Sequence, residues 1–312
     1  MKKRLQNIVA ESKLTFPLVA CFSILVWLLS GLVSNNWWIQ FAFFALSSYL
    51  MVELNNKNAL IRIFSRMVSS AFLLYSTLAC FLMPDMRGAI MQTCLIAAYL
   101  MLFQTYQDKE SMGQTYYAFL FLGMASVARV HLLFFIPFLW LMMATNLFSL
   151  SWRTWLSSII GLLTPYWFVG GWLVYCNDLY PLLNHFKPLA DFQFPITYSM
   201  FDIGFLCTLG IILLSAIIGI VHFLFTNYMD KIHVRMLYGI FIWMDMLAFV
   251  FLLLQPQHYD MLLRIAIVNT APLIAHFLAL SSGRWTNFFF YVLTLLVLAV
   301  TVFNVWIISS LY

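Results

Sequence analysis

Arg129 and His131 are the residues of this sequence best suited to chemistry, because both stand where apolar residues surround them. They are one residue apart, between the apolar runs 115–128 and 132–145. A guanidinium can hold a diphosphate through parallel hydrogen bonds, and an imidazole can exchange a proton near neutral pH. The pair therefore predicts an anion site with an acid or base beside it. The alternative is a helical turn whose cation extends to lipid headgroups.

A second group of titratable residues follows later in the chain. Asp178 and His185 lie in the Pro-containing segment 177–200, and we select both as candidate catalytic residues beside Arg129 and His131. We expect them on the same side of the membrane, where they could line a pocket for a phosphorylated or sugar-bearing headgroup. The alternative is a solvated loop with ordinary charges. The other polar residues of this side are Lys187, Asp191, His258, Tyr259, Asp260 and Arg264.

Asp245 and Asn269 form a rival candidate site. Asp245 lies at the centre of an apolar run, where a carboxyl group should face the interior of a helical bundle. Counted from the ends of their runs, the two residues should lie at nearly the same depth. They could form a proton- or cation-coupled transport site, or a structural hydrogen bond between neighbouring helices.

The composition shows which elements must position these residues. Hydrophobic residues make up 64% of the 312 residues and charged residues only 9%, whereas a soluble domain carries about 25% charged residues. Such a chain cannot build a water-soluble surface, and no stretch is polar enough for a separate soluble domain. We therefore predict a single transmembrane domain over residues 1–312, all-α and polytopic.

Eleven apolar stretches divide the chain. The two runs around Arg129 are each shorter than the roughly 20 residues that a crossing helix needs, and together they are too long for one crossing. They predict a short helix pair within 115–145, which either crosses twice or forms a re-entrant hairpin. The segment 53–66 predicts an interfacial helix. The predicted membrane segments are 16–33, 38–52, 67–83, 89–103, 115–128, 132–145, 152–176, 203–225, 236–254, 261–280 and 288–311.

The distribution of cations orients these segments. With the N-terminus inside and the C-terminus outside, twelve of the sixteen Lys and Arg residues fall on the inner side and four on the outer side. This is the bias that the positive-inside rule predicts. Arg129 and His131 then belong to the outer half. The net charge of +5 is explained by orientation, so we predict no nucleic-acid partner.

The sequence contains no pattern typical of a cofactor or metal site. The five cysteines have no CxxC spacing and are expected to pack as small apolar residues. HExxH, Walker and GxSxG motifs are absent from the sequence. We therefore predict neither a cofactor nor a metal, and membrane lipid is the partner that the composition implies.

Residues from about 54 to 178 resemble an uncharacterised family of bacterial multi-span inner-membrane proteins. The resemblance is carried by Asn55-Asn56-Lys57-Asn58, by the short helix pair, and by Arg153-Thr154-Trp155 with Gly161 and Pro165 ahead of Tyr166-Trp167. It implies a multi-pass protein of the bacterial inner membrane and no particular activity.

A weaker likeness is to the membrane enzymes that build envelope glycans from polyprenol-linked sugars. It implies that the chain handles such precursors at the outer face, with Arg129 and His131 in the outer site. The chain departs from the glycosyltransferases of this class, since Ser34-Asn35-Asn36 offers no acid in the first outer loop. The alternatives are a proton- or ion-coupled transporter of small solutes, and an accessory or scaffold protein without a site. Whether the chain is an enzyme stays open, and its protein partners are not predicted.

Overall fold

The computed structural model describes residues 4–177, 180–191, 198 and 201–311, and every regular element in these ranges is helical. The predicted all-α fold is therefore confirmed. The described α-helices are α1 (Leu5–Glu11), α2 (Thr15–Leu29), α3 (Trp38–Asn58), α4 (Met67–Leu78), α5 (Met86–Leu102), α6 (Met112–Ala128), α7 (Ile136–Thr145), α8 (Trp152–Tyr175), α9 (Tyr180–Phe186), α10 (Ile203–Thr226), α11 (Ile232–Leu254), α12 (Tyr259–Leu280) and α13 (Arg284–Leu311).

Within the described ranges, six helical stretches are long and apolar enough to cross a membrane, as expected of a multi-pass membrane protein. A seventh crossing would be α1 with α2, although these two helices meet at an angle of 89°. The stretches are Met86–Thr105, Trp152–Tyr175, Ile203–Met229, Ile232–Leu254, Pro256–Leu280 and Arg284–Ile307.

Helix α12 forms the centre of the bundle. Apolar residues occur on all sides of this helix, which is typical of a helix surrounded by other helices. From Met261 to Ala279 every residue is buried, and α4, α5, α10 and α11 all pack against it. Gly219 of α10 allows a close approach to α12, because a Cβ atom there would lie 2.8 Å from the carbonyl carbon of Leu273.

Helices α6 and α8 pack closely at the edge of the bundle. Each contributes a glycine to the crossing, as is common between membrane helices. A Cβ atom at Gly123 would lie 2.6 Å from the carbonyl oxygen of Leu162, and one at Gly161 would lie 2.5 Å from that of Tyr116. The outward side of α8 remains exposed along most of its length.

The short helix pair is present as predicted. Helix α6 ends at Ala128, and a three-ten turn, Val130–Phe135, leads into α7. The prediction of an interfacial helix over 53–66 is wrong. Helix α3 continues to Asn58 and ends where Ala59 adopts a left-handed conformation (φ 47°). The Asn55 side chain then donates to the carbonyl oxygen of Ser65 and holds the following loop against the end of α3.

Candidate functional site

Arg129 lies at the break between α6 and the three-ten turn. Its extended backbone (φ −143°, ψ 99°) ends α6. Its Nη2 atom lies 2.8 Å from Asp85 Oδ2 and also forms an ion pair with Asp260 Oδ2. These residues come from the turn before α5, the end of α6 and the start of α12. About 30% of the Arg129 side chain is exposed, so the ion pairs can be reached from outside the bundle.

Asp85 connects this ion pair to the start of α5. It is the N-cap residue of that helix, and its carboxylate accepts the N–H of Gly88 at 3.0 Å. A side chain at Gly88 would overlap both the Asp85 carboxylate and the guanidinium of Arg264. Because Gly88 has no side chain, the guanidinium groups of Arg129 and Arg264 can both lie near the Asp85 carboxylate.

Arg264 is the buried member of the group, with only 7% of its surface exposed. It donates to Gln92 Oε1 at 2.8 Å, to the carbonyl oxygen of Leu82 and to that of Asp85 at 3.4 Å. None of its described hydrogen bonds goes to a carboxylate. We call Asp85, Arg129, Asp260 and Arg264 the Arg129 cluster. Its two arginines balance its two aspartates, and Arg264 anchors the group from beneath.

Three histidines adjoin the Arg129 cluster. The rings of His131 and His258 stack with centroids 3.6 Å apart. His131 Nε2 lies 3.1 Å from the carbonyl oxygen of Pro188, and His185 Nε2 lies 3.1 Å from that of Ser126. A carbonyl oxygen can only accept a hydrogen bond, so each Nε2 carries a proton. In the neutral ring, Nδ1 is then the basic atom.

His131 lies in the turn between the two short helices and is half-buried. Burial lowers the pKa of His131, the hydrogen bond to Pro188 acts against this, and the charge of Arg129 lowers the pKa further. The lowered pKa favours the neutral imidazole near pH 7. His131 can therefore accept a proton beside a site that is built around a guanidinium.

The cavities that touch this region are small. One, of about 30 Å³, lies between the His131–His258 pair and Pro188–Asp191. Another, also about 30 Å³, lies beneath Arg264 and is lined in part by Gln92 and Trp27. Each has room for about one water molecule. A larger ligand at the Arg129 cluster would bind on its exposed side and not inside the bundle.

The predicted candidates are brought together only in part. Arg129, His131 and His185 gather at one end of the bundle, while Asp178 lies outside the described residues. Asp191 and His258, expected on the same side, line the small cavity beside His131. Asp85 and Gln92 were not predicted. The Pro84-Asp85 turn before α5 signals an N-cap, but nothing in the local sequence links Gln92 to Arg264, 172 residues away.

Asp245 and Asn269 are both fully buried, but they have different partners. Thr270 Oγ1 donates to Asp245 at 3.0 Å, whereas Asn269 Oδ1 accepts from the hydroxyl of Tyr99 at 3.0 Å. The five cavities described are lined by neither residue. The arrangement provides hydrogen bonds between helices, and the transport role of this pair stays a prediction.

A second charged network lies at the opposite end of the bundle. Asp230 accepts from His276 Nε2 at 2.9 Å, and Arg62 Nη1 lies 3.9 Å from its other oxygen. The ring of His222 lies near that of His276, with centroids 5.5 Å apart and ring planes inclined by 58°. Among the described residues, no group of three His, Cys, Asp or Glu side chains is arranged to hold a metal ion.

A scan against protein-family models and searches of curated proteins and of solved structures found no match for this chain.

Proposed function

We propose that this chain is a multi-pass protein of the bacterial inner membrane that binds a lipid-linked envelope glycan precursor through the Arg129 cluster at the outer face. Its topology would have eleven membrane segments, the N-terminus inside and the C-terminus outside. Each proposed segment coincides with a helix of the bundle. The short pair 115–145 would enter and leave on the inner side, with Arg129 and His131 in the outer half. Membership of the uncharacterised inner-membrane family is part of this proposal.

One observation carries the proposal. Arg129 is a partly exposed guanidinium that two carboxylates hold in place, beside a histidine whose pKa favours the neutral ring. A diphosphate would take the exposed donors of Arg129, because guanidinium and phosphate match in bidentate geometry. His131 could accept or return a proton next to the bound phosphate.

The surroundings of the cluster favour a substrate with a lipid portion. Helix α9 lies next to it, since His185 of this helix bonds the backbone of Ser126. On α9, Tyr180 and Leu183 are about two-thirds exposed (65% and 66%). An apolar surface beside the partly exposed guanidinium of Arg129 fits a ligand whose phosphate is attached to a hydrocarbon chain. The transport alternative depends on Asp245, which is buried among hydrogen-bonded neighbours and has no described cavity beside it.

The test is direct binding. A short-chain fluorescent polyprenyl diphosphate would be titrated against the protein in nanodiscs of zwitterionic lipid. Charge-assisted hydrogen bonds contribute about 1.5–3 kcal/mol, so we expect Arg129→Gln to weaken binding roughly 10- to 150-fold. Arg153→Gln removes an exposed cation at the start of α8 and should leave binding unchanged.

Inorganic diphosphate should compete with the probe if the phosphate provides the recognition. Equal affinity of Arg129→Gln and wild type, at an unchanged melting temperature, would refute the proposed site. If the hydrocarbon chain of the probe alone drives binding, inorganic diphosphate will not displace the probe.

A further inference from the structure

A long groove opens on the side of the bundle between α2, α3 and α4, away from the Arg129 cluster. Its volume is about 530 Å³, far larger than that of either cavity beside the cluster. Apolar and aromatic side chains line most of it. The lining residues are Lys13, Phe16, Pro17, Ala20, Ile24, Phe41, Phe44, Ala45, Ser48, Tyr49, Val52, Arg66 and Leu73.

The groove is about as long as one leaflet of a bilayer is deep. On α3 it extends from Val52 to Phe41, which at 1.5 Å per residue is about 16 Å. The hydrocarbon core of a bilayer is about 30 Å thick. A ligand that fills the groove therefore has the length of a lipid chain in one leaflet.

Both cations of the groove lie at the same end. Lys13 lies two residues before the first residue of α2, and Arg66 directly precedes the first residue of α4. Arg66 is four residues from Arg62, which contacts Asp230, so this end belongs to the Asp230 side of the bundle. The deep end, by contrast, is formed by Ile24 and Phe41.

Neither cation is neutralised by a carboxylate in the described part of the chain. The described ion pairs involve other residues, and the recorded partner of Arg66 is the ring of Phe64, with its Cζ 5.6 Å from the centroid. No Asp or Glu is among the residues that line the groove. The groove thus joins an uncompensated positive end to an apolar channel of leaflet depth.

We propose that this groove binds an anionic glycerophospholipid of the leaflet on the Asp230 side. Its phosphate would lie between Lys13 and Arg66, and one acyl chain would lie against Phe16, Ala20 and Ala45. The cations provide selectivity for anionic over zwitterionic headgroups, because the net charge of the headgroup decides the electrostatic attraction. This site is separate from the Arg129 cluster and does not depend on the function proposed for that cluster.

The test is native mass spectrometry of the full chain, released from detergent with phosphatidylglycerol or phosphatidylcholine of identical acyl chains. We expect wild type to retain phosphatidylglycerol preferentially. The double variant Lys13→Gln/Arg66→Gln should weaken phosphatidylglycerol binding by roughly 30-fold, since each cation near a membrane surface contributes a factor of about five. The matched control is Lys57→Gln/Arg284→Gln, which removes two exposed cations that do not line the groove.

A second variant keeps the charges and fills the channel. Ala45→Trp should reduce retention of both lipids, because the acyl chain loses its place, while Lys13→Gln/Arg66→Gln should remove only the preference for phosphatidylglycerol. The proposal is overturned if the control pair lowers the preference as much as the groove pair does. It is equally overturned if Ala45→Trp retains both lipids as wild type does.

Discussion

Arg264→Met should destabilise this protein more than any other single change in the Arg129 cluster. Arg264 is 7% exposed, and its guanidinium supplies hydrogen bonds to Gln92 Oε1 and to the carbonyl oxygen of Leu82. Methionine fills a similar volume but donates nothing. Two buried acceptors would then be left without partners, and Asp85 and Asp260 would share the single positive charge of Arg129.

The magnitude follows from these losses. Each buried acceptor without a donor costs about 1–3 kcal/mol, and removing one partner from a buried charged group costs about 3–5 kcal/mol in total. With the slope of 2–4 °C per kcal/mol typical of larger soluble domains, the melting temperature should fall by roughly 6–20 °C. Arg264→Lys should recover only part of this, because a single ammonium group cannot reach the acceptors as the planar fork does.

The assay is thermal unfolding in detergent, followed by intrinsic tryptophan fluorescence. Arg129→Met is the matched comparison, since it removes the same chemical group from the same cluster at a site where 30% of the side chain is exposed. It should lower the melting temperature much less. If Arg264→Met has the same melting temperature as wild type, the proposed anchoring role of Arg264 is refuted. It is also refuted if Arg129→Met has the lower melting temperature of the two variants.

Two further changes test the packing and the opposite end. Gly161→Leu should force α6 and α8 apart and lower the free energy of unfolding by more than about 2 kcal/mol. Gly171→Leu, at an open position of the same helix, should change stability little in the same melting assay. Equal effects of the two changes would contradict the close crossing. Asp230→Asn should lower the free energy of unfolding by about 1–3 kcal/mol, because the carboxylate that accepts from buried His276 becomes a neutral amide. The control Glu110→Gln, at an exposed loop residue, should change stability little. A loss of stability as large as that of Asp230→Asn would contradict the role of the Asp230–His276 hydrogen bond.

The positions of the longer helices were largely predictable from the sequence, because each of them contains an apolar run between polar turns. The error over 53–66 has a physical cause. The four-residue spacing of Arg62 and Arg66 indicates one face of a surface helix, but α3 ends at the left-handed Ala59, before either residue. Hydrophobic patterning locates a run of helix well and locates its end poorly, because the end depends on backbone conformation and on contacts such as that of Asn55 with Ser65.

The candidate site was predictable where one residue was chemically out of place. Arg129 stood out because apolar runs surround it, and it does lie in a charged cluster. Asp85 and Gln92 could not be found in the same way. An aspartate in a turn is unremarkable in sequence, and its importance comes from the packing of α5 against α12, which brings together residues far apart in the chain.

The central position of α12 has a consequence for how the chain matures in the membrane. This helix contacts α4, α5, α10 and α11, yet it is the second-last of the described helices to be synthesised. Until it arrives, Tyr99 lacks the Asn269 side chain that its hydroxyl bonds, and Asp245 lacks Thr270. The growing chain therefore holds these polar groups in a nonpolar environment without their final partners. Its earlier helices can be inserted in order, but the bundle can close only after α12 has been inserted, and a chain cut off before Thr270 would leave the Asp245 carboxyl group without this partner.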